Sequence, residues 1–473
     1  MAEPAGTTRL TRRLGSLDGA ALIVSNVIGI GIFTTPGLVA SMVPGPGAFL
    51  GVWAAGAVLA LIGGLVYAEL GGAYPEAGGE YVYLREAFGP GVAFLSGWTS
   101  LLAGFAGAIA AGAVGFAIYL ERLIPGLGNI VPLRFGGGPG LDLHPQRLVA
   151  LALIALLTLV HTRGLGPGRT VQNLLAVLSV VTIAALVALG LAAQPAVAGT
   201  TATAWPPAQD GGVLLALVLV MFTYSGWNAA AYLAGEMRVP GRSLRAAVVG
   251  GTVVVTALYL GLNLLYLRTV PFGALEGSVA VADVAADAVF GGSGSAVVAV
   301  VVGLALGSGV SAMLLAGPRI YFAMARDGVL PIAFGRIDTR SGVPSFAVVA
   351  QALWAGVLVL TGAFEDLITY TAFAVVLFSA VAVAALFVLR RRPGWGYLAP
   401  VKVWGHPWTS TLFLLVSAAM LVQAVRFAPG PSLMGASLVC AGVPVYLLTR
   451  GSGARRRATE PPHSEPPLEG EEP

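Results

Sequence analysis

Charged residues and cysteines are scarce in this chain. Only 10% of its 473 residues are Asp, Glu, Lys or Arg, and 57% are hydrophobic. Because a soluble domain carries roughly 25% charged residues, a water-soluble protein is excluded. The single cysteine, Cys440, allows no intramolecular disulfide. The four histidines lie in separate segments, so we expect no metal site and no other cofactor.

Catalytic and pore signatures are also missing. The sequence contains no HExxH, Gly-x-Ser-x-Gly or P-loop pattern, and no carbonyl filter of the potassium-channel type. Its charged residues are expected at or beyond helix ends, which leaves a membrane enzyme without acids, bases or metal ligands at depth. We therefore predict that the protein is not an enzyme.

Long uncharged runs are the main feature that is present. Fifty residues without a charge separate Asp18 from Glu69, and a Pro-Gly-Pro-Gly turn at 44–47 divides them into two membrane spans, because about 20 apolar residues cross the hydrocarbon core. Further uncharged runs cover 87–120, 148–162, 170–209, 211–235, 246–267, 288–318, 341–364, 367–389, 403–425 and 427–449. The prediction is an all-α polytopic membrane protein with twelve transmembrane helices and no cleavable signal peptide.

Positive charge is distributed unevenly between alternate loops. If the N-terminus is inside, 21 of the 26 Lys and Arg residues fall in inside segments, as expected of cytoplasmic loops. Both termini of this cell-membrane protein are therefore predicted to be cytoplasmic. The net charge of +4 reflects this topology and does not indicate nucleic-acid binding, because the arginines form no single face.

Two spans contain backbone-breaking residues. Span 1 contains Gly29, Gly31 and Pro36, and span 6 contains Ser225 and Gly226. Glycine also lets helices approach closely, so each motif taken alone is compatible with a break or with packing. Because the two spans are five apart, equivalent spans of two five-helix halves run in opposite directions, which favours an inverted repeat with broken helices at a substrate site.

Two such breaks suit a zwitterionic ligand. N–H groups at the start of the outer half of span 1, near residues 31–33, would hold a carboxylate. Carbonyls before the breaks would accept hydrogen bonds from an ammonium group. These carbonyls are expected near Val27 and Ile28 in span 1, and near Phe222 and Tyr224 in span 6.

These segments resemble the amino acid-polyamine-organocation (APC) superfamily of transporters, which has the leucine-transporter fold. The similarity is greatest to the light-chain-like, or L-type, amino acid exchangers and covers about residues 15–450. It is carried by segments 29–36, 224–240, 317–328 and 400–407. Ala-Met-Ala-Arg-Asp-Gly, which ends the third segment after the eighth span, is specific.

The resemblance implies a 5+5 inverted repeat followed by two extra C-terminal helices. The expected divisions are a cytoplasmic N-terminal segment (1–15), the first repeat (16–195), the second repeat (211–390), helices 11 and 12 (403–449) and a disordered cytoplasmic tail (450–473). The implied function is secondary active transport of amino acids by alternating access.

The resemblance also implies which residues bind the substrate. They belong to the two breaks and are Val27, Ile28, Gly29, Ile30, Gly31, Ile32, Phe33, Phe222, Tyr224, Ser225, Gly226 and Trp227. For Tyr224 and Trp227, a gate over the substrate and a packing aromatic are both open interpretations. Glu69, Glu236 and Arg319, at the cytoplasmic ends of spans 2, 6 and 8, are either gate or loop salt bridges or solvated charges.

One position departs from the family pattern. Many sodium-independent relatives carry a lysine in span 5 where this chain has Ser179, and its only lysine, Lys402, is in a loop. Ser179, Ser308 and Ser311 are candidates for an ion or coupling site with span 1 carbonyls, unless packing closes that space. We expect sodium-independent exchange or facilitated transport. Neutral substrates are expected because the broken spans contain no carboxylate.

A non-transporting amino acid sensor or receptor on the same fold is the competing interpretation. The sequence shows no attached soluble domain that would favour it. The expected partners are therefore an amino acid substrate and membrane lipid. We expect no nucleic acid and no obligatory protein partner.

Overall fold

The computed structural model describes residues 10–124, 126–127, 144–193, 212–278, 280–362, 364–427 and 429–457. These residues form helices, turns and a single isolated β-bridge between Leu14 and Met237. The α-helices are α1 (Ser16–Val27), α2 (Gly31–Ala40), α3 (Pro46–Ala73), α4 (Glu80–Phe88), α5 (Pro90–Thr99), α6 (Phe105–Leu123), α7 (Pro145–Thr162), α8 (Leu165–Ala192), α9 (Gly212–Thr223), α10 (Pro240–Thr269), α11 (Phe272–Leu275), α12 (Val281–Phe290), α13 (Gly294–Ala316), α14 (Pro318–Arg326), α15 (Ser345–Thr361), α16 (Phe364–Leu389), α17 (Trp395–Leu398), α18 (Trp408–Phe427) and α19 (Pro429–Arg457).

Within the described residues, eight helical stretches are long and apolar enough to cross a membrane, and the bent pair α1 and α2 makes a ninth. The eight are Pro46–Ala73, Pro90–Leu123, Pro145–Thr162, Leu165–Ala192, Pro240–Thr269, Val281–Arg326, Trp408–Phe427 and Pro429–Thr449. Shorter apolar helices cover Gly212–Thr223, Ser345–Thr361 and Phe373–Leu389. The protein is therefore a multi-pass membrane protein, whereas a total of twelve spans and the inverted repeat stay predictions.

Helix ends differ from the predicted runs in two places. The short fourth run is the 18-residue helix α7, which begins at Pro145 and is about 27 Å long at 1.5 Å per residue. At the other end of the chain, α19 continues to Arg457 and so includes the first eight residues of the predicted tail. Residues 458–473 of that tail lie outside the described residues.

Span 1 is broken, as the glycines predicted. Helix α1 ends at Val27, α2 begins at Gly31, and the two helices meet at an angle of 53°. Ile28 has an extended backbone, with ψ 100°. Pro36 lies inside α2 and has no N–H to give to the carbonyl of Ile32, four residues earlier. The Tyr266 hydroxyl lies 3.5 Å from that carbonyl oxygen.

Span 6 is broken over a longer stretch. Helix α9 ends at Thr223, turns follow, and a 3₁₀ segment runs over Ala229–Glu236. Gly226 lies within the turns with φ +107°, a conformation that residues with a Cβ rarely adopt. The Gly226 carbonyl accepts the N–H of Ala229 at 3.0 Å, which starts the 3₁₀ segment.

The two breaks pack directly against each other. A Cβ on Gly226 would lie 2.7 Å from the carbonyl oxygen of Asn26, and a Cβ on Gly31 would lie 3.1 Å from the side chain of Thr223. The hydroxyl of Tyr259, on α10, donates to the carbonyl of Val27 at 2.8 Å and reaches that of Thr223 at 3.2 Å. One tyrosine therefore binds carbonyls that both breaks leave unpaired.

Candidate functional site

A cavity of about 340 Å³ lies where the two breaks meet, and we call it the central cavity. Its walls come from both breaks, from the π-helical segment Ser100–Gly104 between α5 and α6, and from α13 and α16. Pockets for small ligands typically begin near this size, and π-helical segments are frequent at functional sites.

Most of the predicted substrate-binding residues line the central cavity. From span 1 they are Val27, Ile28, Gly29, Ile30 and Gly31, and from span 6 they are Phe222, Ser225 and Gly226. No atom would meet a Cβ on Gly29 within 4 Å, so the cavity reaches the backbone at that residue. Ile32 and Phe33 are instead buried in the core. The N–H of Phe33 donates to the Ile30 carbonyl at 3.0 Å.

The two aromatic gate candidates of span 6 lie outside the cavity lining. Tyr224 packs against Tyr259 and Trp53, with ring centroids 5.0 and 6.2 Å apart. Trp227 packs edge-on against Tyr67 at 5.0 Å and Phe413 at 6.0 Å. These contacts favour the packing interpretation for both residues. Phe222 of α9, which is 45% exposed, lies in the cavity wall instead.

The cavity contains polar residues that the sequence analysis did not select. Glu80, the first residue of α4, lines it with only 7% of its surface exposed. Asn228 and Tyr232 line it as well, and the Asn228 amide donates to the Tyr232 hydroxyl at 3.0 Å. An acid in the binding site was expected only within the broken spans. Glu80 instead belongs to α4, in the connection between α3 and α5.

Asn26 of α1 also lines the cavity. Its side-chain nitrogen is 3.5 Å from the Gly226 carbonyl, and its Oδ1 is buried with no hydrogen-bond partner among the described residues. Buried polar atoms are normally paired. An unpaired amide oxygen beside the cavity is therefore a candidate acceptor for a ligand.

The three serines of the candidate ion site have separate partners. Ser179 donates to the Leu175 carbonyl of its own helix at 2.9 Å. Ser308 donates to the Ser25 hydroxyl at 2.6 Å, which joins α13 to α1 beside the cavity. The Ser311 hydroxyl lies 2.9 Å from Nε2 of His161, a buried residue of α7 that the sequence analysis did not select.

Glu69 is fully buried and holds the connection between α16 and α18. Its carboxylate accepts hydrogen bonds from Arg390 at 2.8 and 2.6 Å, from the Trp395 indole at 3.0 Å and from the Val403 N–H at 2.6 Å. The solvated-charge interpretation is therefore wrong for Glu69. Its four hydrogen bonds link a span of the first half to a segment more than 300 residues later.

Glu236 and Arg319 form a second buried ion pair, between the 3₁₀ segment of span 6 and α14. The guanidinium donates to both carboxylate oxygens, at 2.7 and 3.0 Å, and each side chain is 1% exposed. The Glu236 carbonyl also accepts the N–H groups of Arg13 and Leu14, which ties the chain before α1 to span 6. A gating role for this pair stays a prediction.

Comparisons with known proteins agree with this architecture. A family model described as amino acid permease matches residues 14–446, which include all cavity-lining residues. The chain is 31% identical over 392 residues to b(0,+)-type amino acid transporter 1 of Homo sapiens, covering 81% of this chain and 77% of that protein. It is 29% identical over 387 residues to the serine/threonine exchanger SteT of Bacillus subtilis, covering 81% and 84%. It is 28% identical over 453 residues to large neutral amino acids transporter small subunit 2 of Mus musculus, covering 94% and 82%.

Proposed function

Because the chain belongs to the amino acid permease family and is an amino acid transporter, we propose that it carries neutral amino acids across the cell membrane by alternating access. The observation that carries this proposal is the central cavity, where two helix breaks expose backbone groups to one ligand-sized space. Broken helices at a shared midpoint are the usual substrate site of such transporters.

The chemistry of the cavity fits the two charged groups that every amino acid carries. The N–H groups of Gly31 and Ile32, the first two residues of α2, have no intrahelical partner and lie at the positive end of the helix dipole, so they suit the substrate carboxylate. Gly29, where an added Cβ would meet no atom within 4 Å, leaves room for the ligand to reach this backbone. The Asn26 Oδ1 atom, together with carbonyls of the two breaks, supplies acceptors for the ammonium group.

The rest of the lining supports a neutral side chain. Phe222 and Ile30 are exposed to the cavity, and Leu306, Val310 and Met313 of α13 form the wall opposite. A cationic side chain in such surroundings would need a carboxylate close to the breaks, because an unpaired charge at membrane depth is unfavourable by several kcal/mol. Span 6 has Ser225 at its break rather than an acid. The carboxylate of Glu80 does line the cavity, but both of its oxygens already accept hydrogen bonds, from the hydroxyls of Tyr67 and Ser96.

The topology and the partners of the transporter are part of the same proposal. We place both termini in the cytoplasm on the 21-to-5 distribution of Lys and Arg, and we count three shorter helices with the nine stretches as twelve spans. One relative is named as a small subunit. Independence from a partner protein therefore stays a prediction for this chain, and uptake by the purified chain alone tests it.

The decisive experiment is uptake of a labelled neutral amino acid into proteoliposomes that contain only this protein. We expect saturable uptake that unlabelled alanine or leucine inhibits and that amino acid loaded inside the vesicles accelerates. Efficient competition by arginine or a diamine, with none by alanine or leucine, would overturn the neutral substrate class. Binding without uptake would favour the sensor instead.

Gly31→Val tests whether the break in span 1 is the site. A Cβ at this position is already 3.1 Å from Thr223, and its branches would crowd the start of α2. We expect loss of uptake with normal insertion and normal elution on size-exclusion chromatography. The matched control is Gly51→Val on α3, where no atom would meet the added Cβ within 4 Å. Normal uptake by Gly31→Val would move the carboxylate site elsewhere.

A further inference from the structure

Three buried glutamates lie near the cytoplasmic ends of the spans, and one of them differs from the others. Glu69 is paired with Arg390 and Glu236 with Arg319. Glu80 has no ion-pair partner among the described residues, and it is the one of the three that lines the central cavity. Arg85, on the same helix, is occupied by Glu76, Glu86 and Asp327.

The groups that face Glu80 are uncharged at neutral pH. Its Oε2 accepts the Tyr67 hydroxyl of α3 at 2.8 Å, and its Oε1 accepts the Ser96 hydroxyl of α5 at 3.0 Å. Tyr83 of α4 and Tyr232 of the 3₁₀ segment are the other titratable groups close enough to interact with it. An ionised Glu80 is thus stabilised by two hydroxyl donors and by no countercharge.

Such an environment favours the protonated acid. Helix α4 is not one of the membrane-spanning helices. The pKa of Glu80 is raised because its burial outweighs the hydrogen bonds from Tyr67 and Ser96, which act in the opposite direction. The side chain borders the space proposed for the substrate. The pKa of Glu80 therefore depends on whether that space is dry or contains water.

We propose that Glu80 is a proton-binding group of the central cavity and that the cavity closes around its substrate with Glu80 protonated. This inference rests on the proposed function, because it takes the central cavity to be the substrate site. Closing the cavity removes water from the carboxyl group, and an ionised carboxylate loses more solvation than a neutral acid. The closed state therefore binds the proton more tightly than the open state.

The direction of the pH dependence follows from this difference. Glu80 has the higher pKa in the closed state. Below the pKa of the open state Glu80 is protonated in both states, so closure requires no proton uptake and is most favourable. As the pH rises from that value towards the pKa of the closed state, closure must take up a proton and becomes less favourable. Transport is expected to fall as the medium becomes alkaline.

The test is the initial rate of uptake into proteoliposomes at equal internal and external pH, from about pH 5 to about pH 9, a range that spans ordinary and raised glutamate pKa values. We expect the wild-type rate to fall severalfold towards alkaline pH. Glu80→Gln, which has the shape of the protonated acid, should give a flat profile. Glu76→Gln is the matched control, because this exposed residue of the same connection loses the same charge, and it should follow the wild-type profile.

Two further measurements keep the proposal testable if Glu80→Gln transports poorly. Tyr67→Phe removes a hydrogen bond that favours the ionised form, so the decline should move to higher pH. Substrate added to the purified wild-type protein in weak buffer should cause proton uptake at alkaline pH, and Glu80→Gln should abolish it while still binding substrate. An unshifted decline in Tyr67→Phe, or equal proton uptake in both proteins, would overturn the proposal.

Other results would assign the proton to another residue or a different role to Glu80. A wild-type profile in Glu80→Gln that becomes flat in His161→Gln would overturn the proposal in favour of the His161–Ser311 pair. Arginine competition that disappears in Glu80→Gln would make Glu80 a counter-ion for a cationic side chain instead. Wild-type uptake that does not depend on pH would refute only the role of Glu80, whereas an absence of uptake and binding at every pH would refute the proposed function.

Discussion

Spans 1 and 6 are both interrupted at the central cavity, but the geometry of the two breaks differs. Span 1 breaks over three residues between two α-helices, at an angle of 53°, and Gly29 in this break has only open space beside it. Span 6 breaks over turns that include the positive φ of Gly226 and continues as a 3₁₀ segment. The break in span 1 leaves backbone accessible to a ligand, whereas the break in span 6 is fixed by contact with the first.

The contacts that hold the two spans to neighbouring helices also differ. The 3₁₀ half of span 6 is held by the buried charges of Glu236 and Arg319. The α1 half of span 1 is held by the buried, neutral Ser25–Ser308 hydrogen bond and by Asp18, which accepts from Asn173 at 2.6 Å and lies 3.9 Å from the partly exposed Arg169. Because removing one partner of a buried charge pair is more destabilising than removing a neutral hydrogen bond, the two spans should respond unequally to substitution.

The largest effect is expected for Arg319→Ala. The substitution leaves the Glu236 carboxylate buried without its countercharge, which typically destabilises a protein by about 3–5 kcal/mol. We expect a clearly lower unfolding temperature in detergent and reduced yield of folded protein. Arg326→Ala, at the exposed end of the same helix, is the control and should unfold near the wild-type temperature. Equal unfolding temperatures for the two variants would show that the ion pair does not stabilise span 6.

Gly226→Ala and Gly29→Ala add the same methyl group to the two breaks and should affect stability differently. The added Cβ would lie 2.7 Å from the Asn26 carbonyl oxygen and would occupy a positive φ, so we expect a loss of about 1–3 kcal/mol in stability, as for other overpacked sites, together with a loss of uptake. Gly29→Ala meets no neighbouring atom and should leave the unfolding temperature near that of the wild type. A larger loss of stability for Gly29→Ala would reverse the comparison.

The sequence predicted the positions of both breaks because glycine and proline act locally. Gly29, Gly31 and Gly226 each interrupt an apolar run, and the interruption is visible without knowledge of the neighbours. It did not predict where Tyr224 and Trp227 point. Their side chains follow the turn at Gly226 and pack on aromatic residues of α3, α10 and α18, which are far away in the sequence.

The buried glutamates were equally hard to interpret from the sequence. Glu69, Glu80 and Glu236 all stand near span ends, where acids are usually solvated, and nothing in the local sequence distinguishes them. The arginine partner of Glu236 is 83 residues away in the sequence, and that of Glu69 is 321 residues away. Glu80 is buried because α4 packs against α5 and α16, an arrangement that depends on tertiary packing.

Ser308→Ala should have the smallest effect, and it tests the coupling mechanism. Ser308 donates to Ser25 at 2.6 Å, and loss of one neutral hydrogen bond costs about 0.5–1.5 kcal/mol. A sodium ion is a hard cation and, like other hard cations, needs several oxygen ligands around one point. Here Ser179, Ser308 and Ser311 each hydrogen-bond to a different partner, the Leu175 carbonyl, Ser25 and His161, so no hydrogen bond joins the three hydroxyls into one site.

We therefore expect uptake into proteoliposomes to be the same when sodium is replaced by choline at fixed pH, and we expect Ser308→Ala to retain most of that uptake in both media. Ser179→Ala is the matched control, because its hydroxyl bonds only to the Leu175 carbonyl in the same helix. A severalfold loss of uptake in choline, reproduced in sodium by Ser308→Ala but not by Ser179→Ala, would show that the hydroxyl pair joining α1 to α13 binds the ion. Span 1 would then be held by a sodium ion as span 6 is held by Arg319, and the contrast between a neutral and a charged buried contact would disappear.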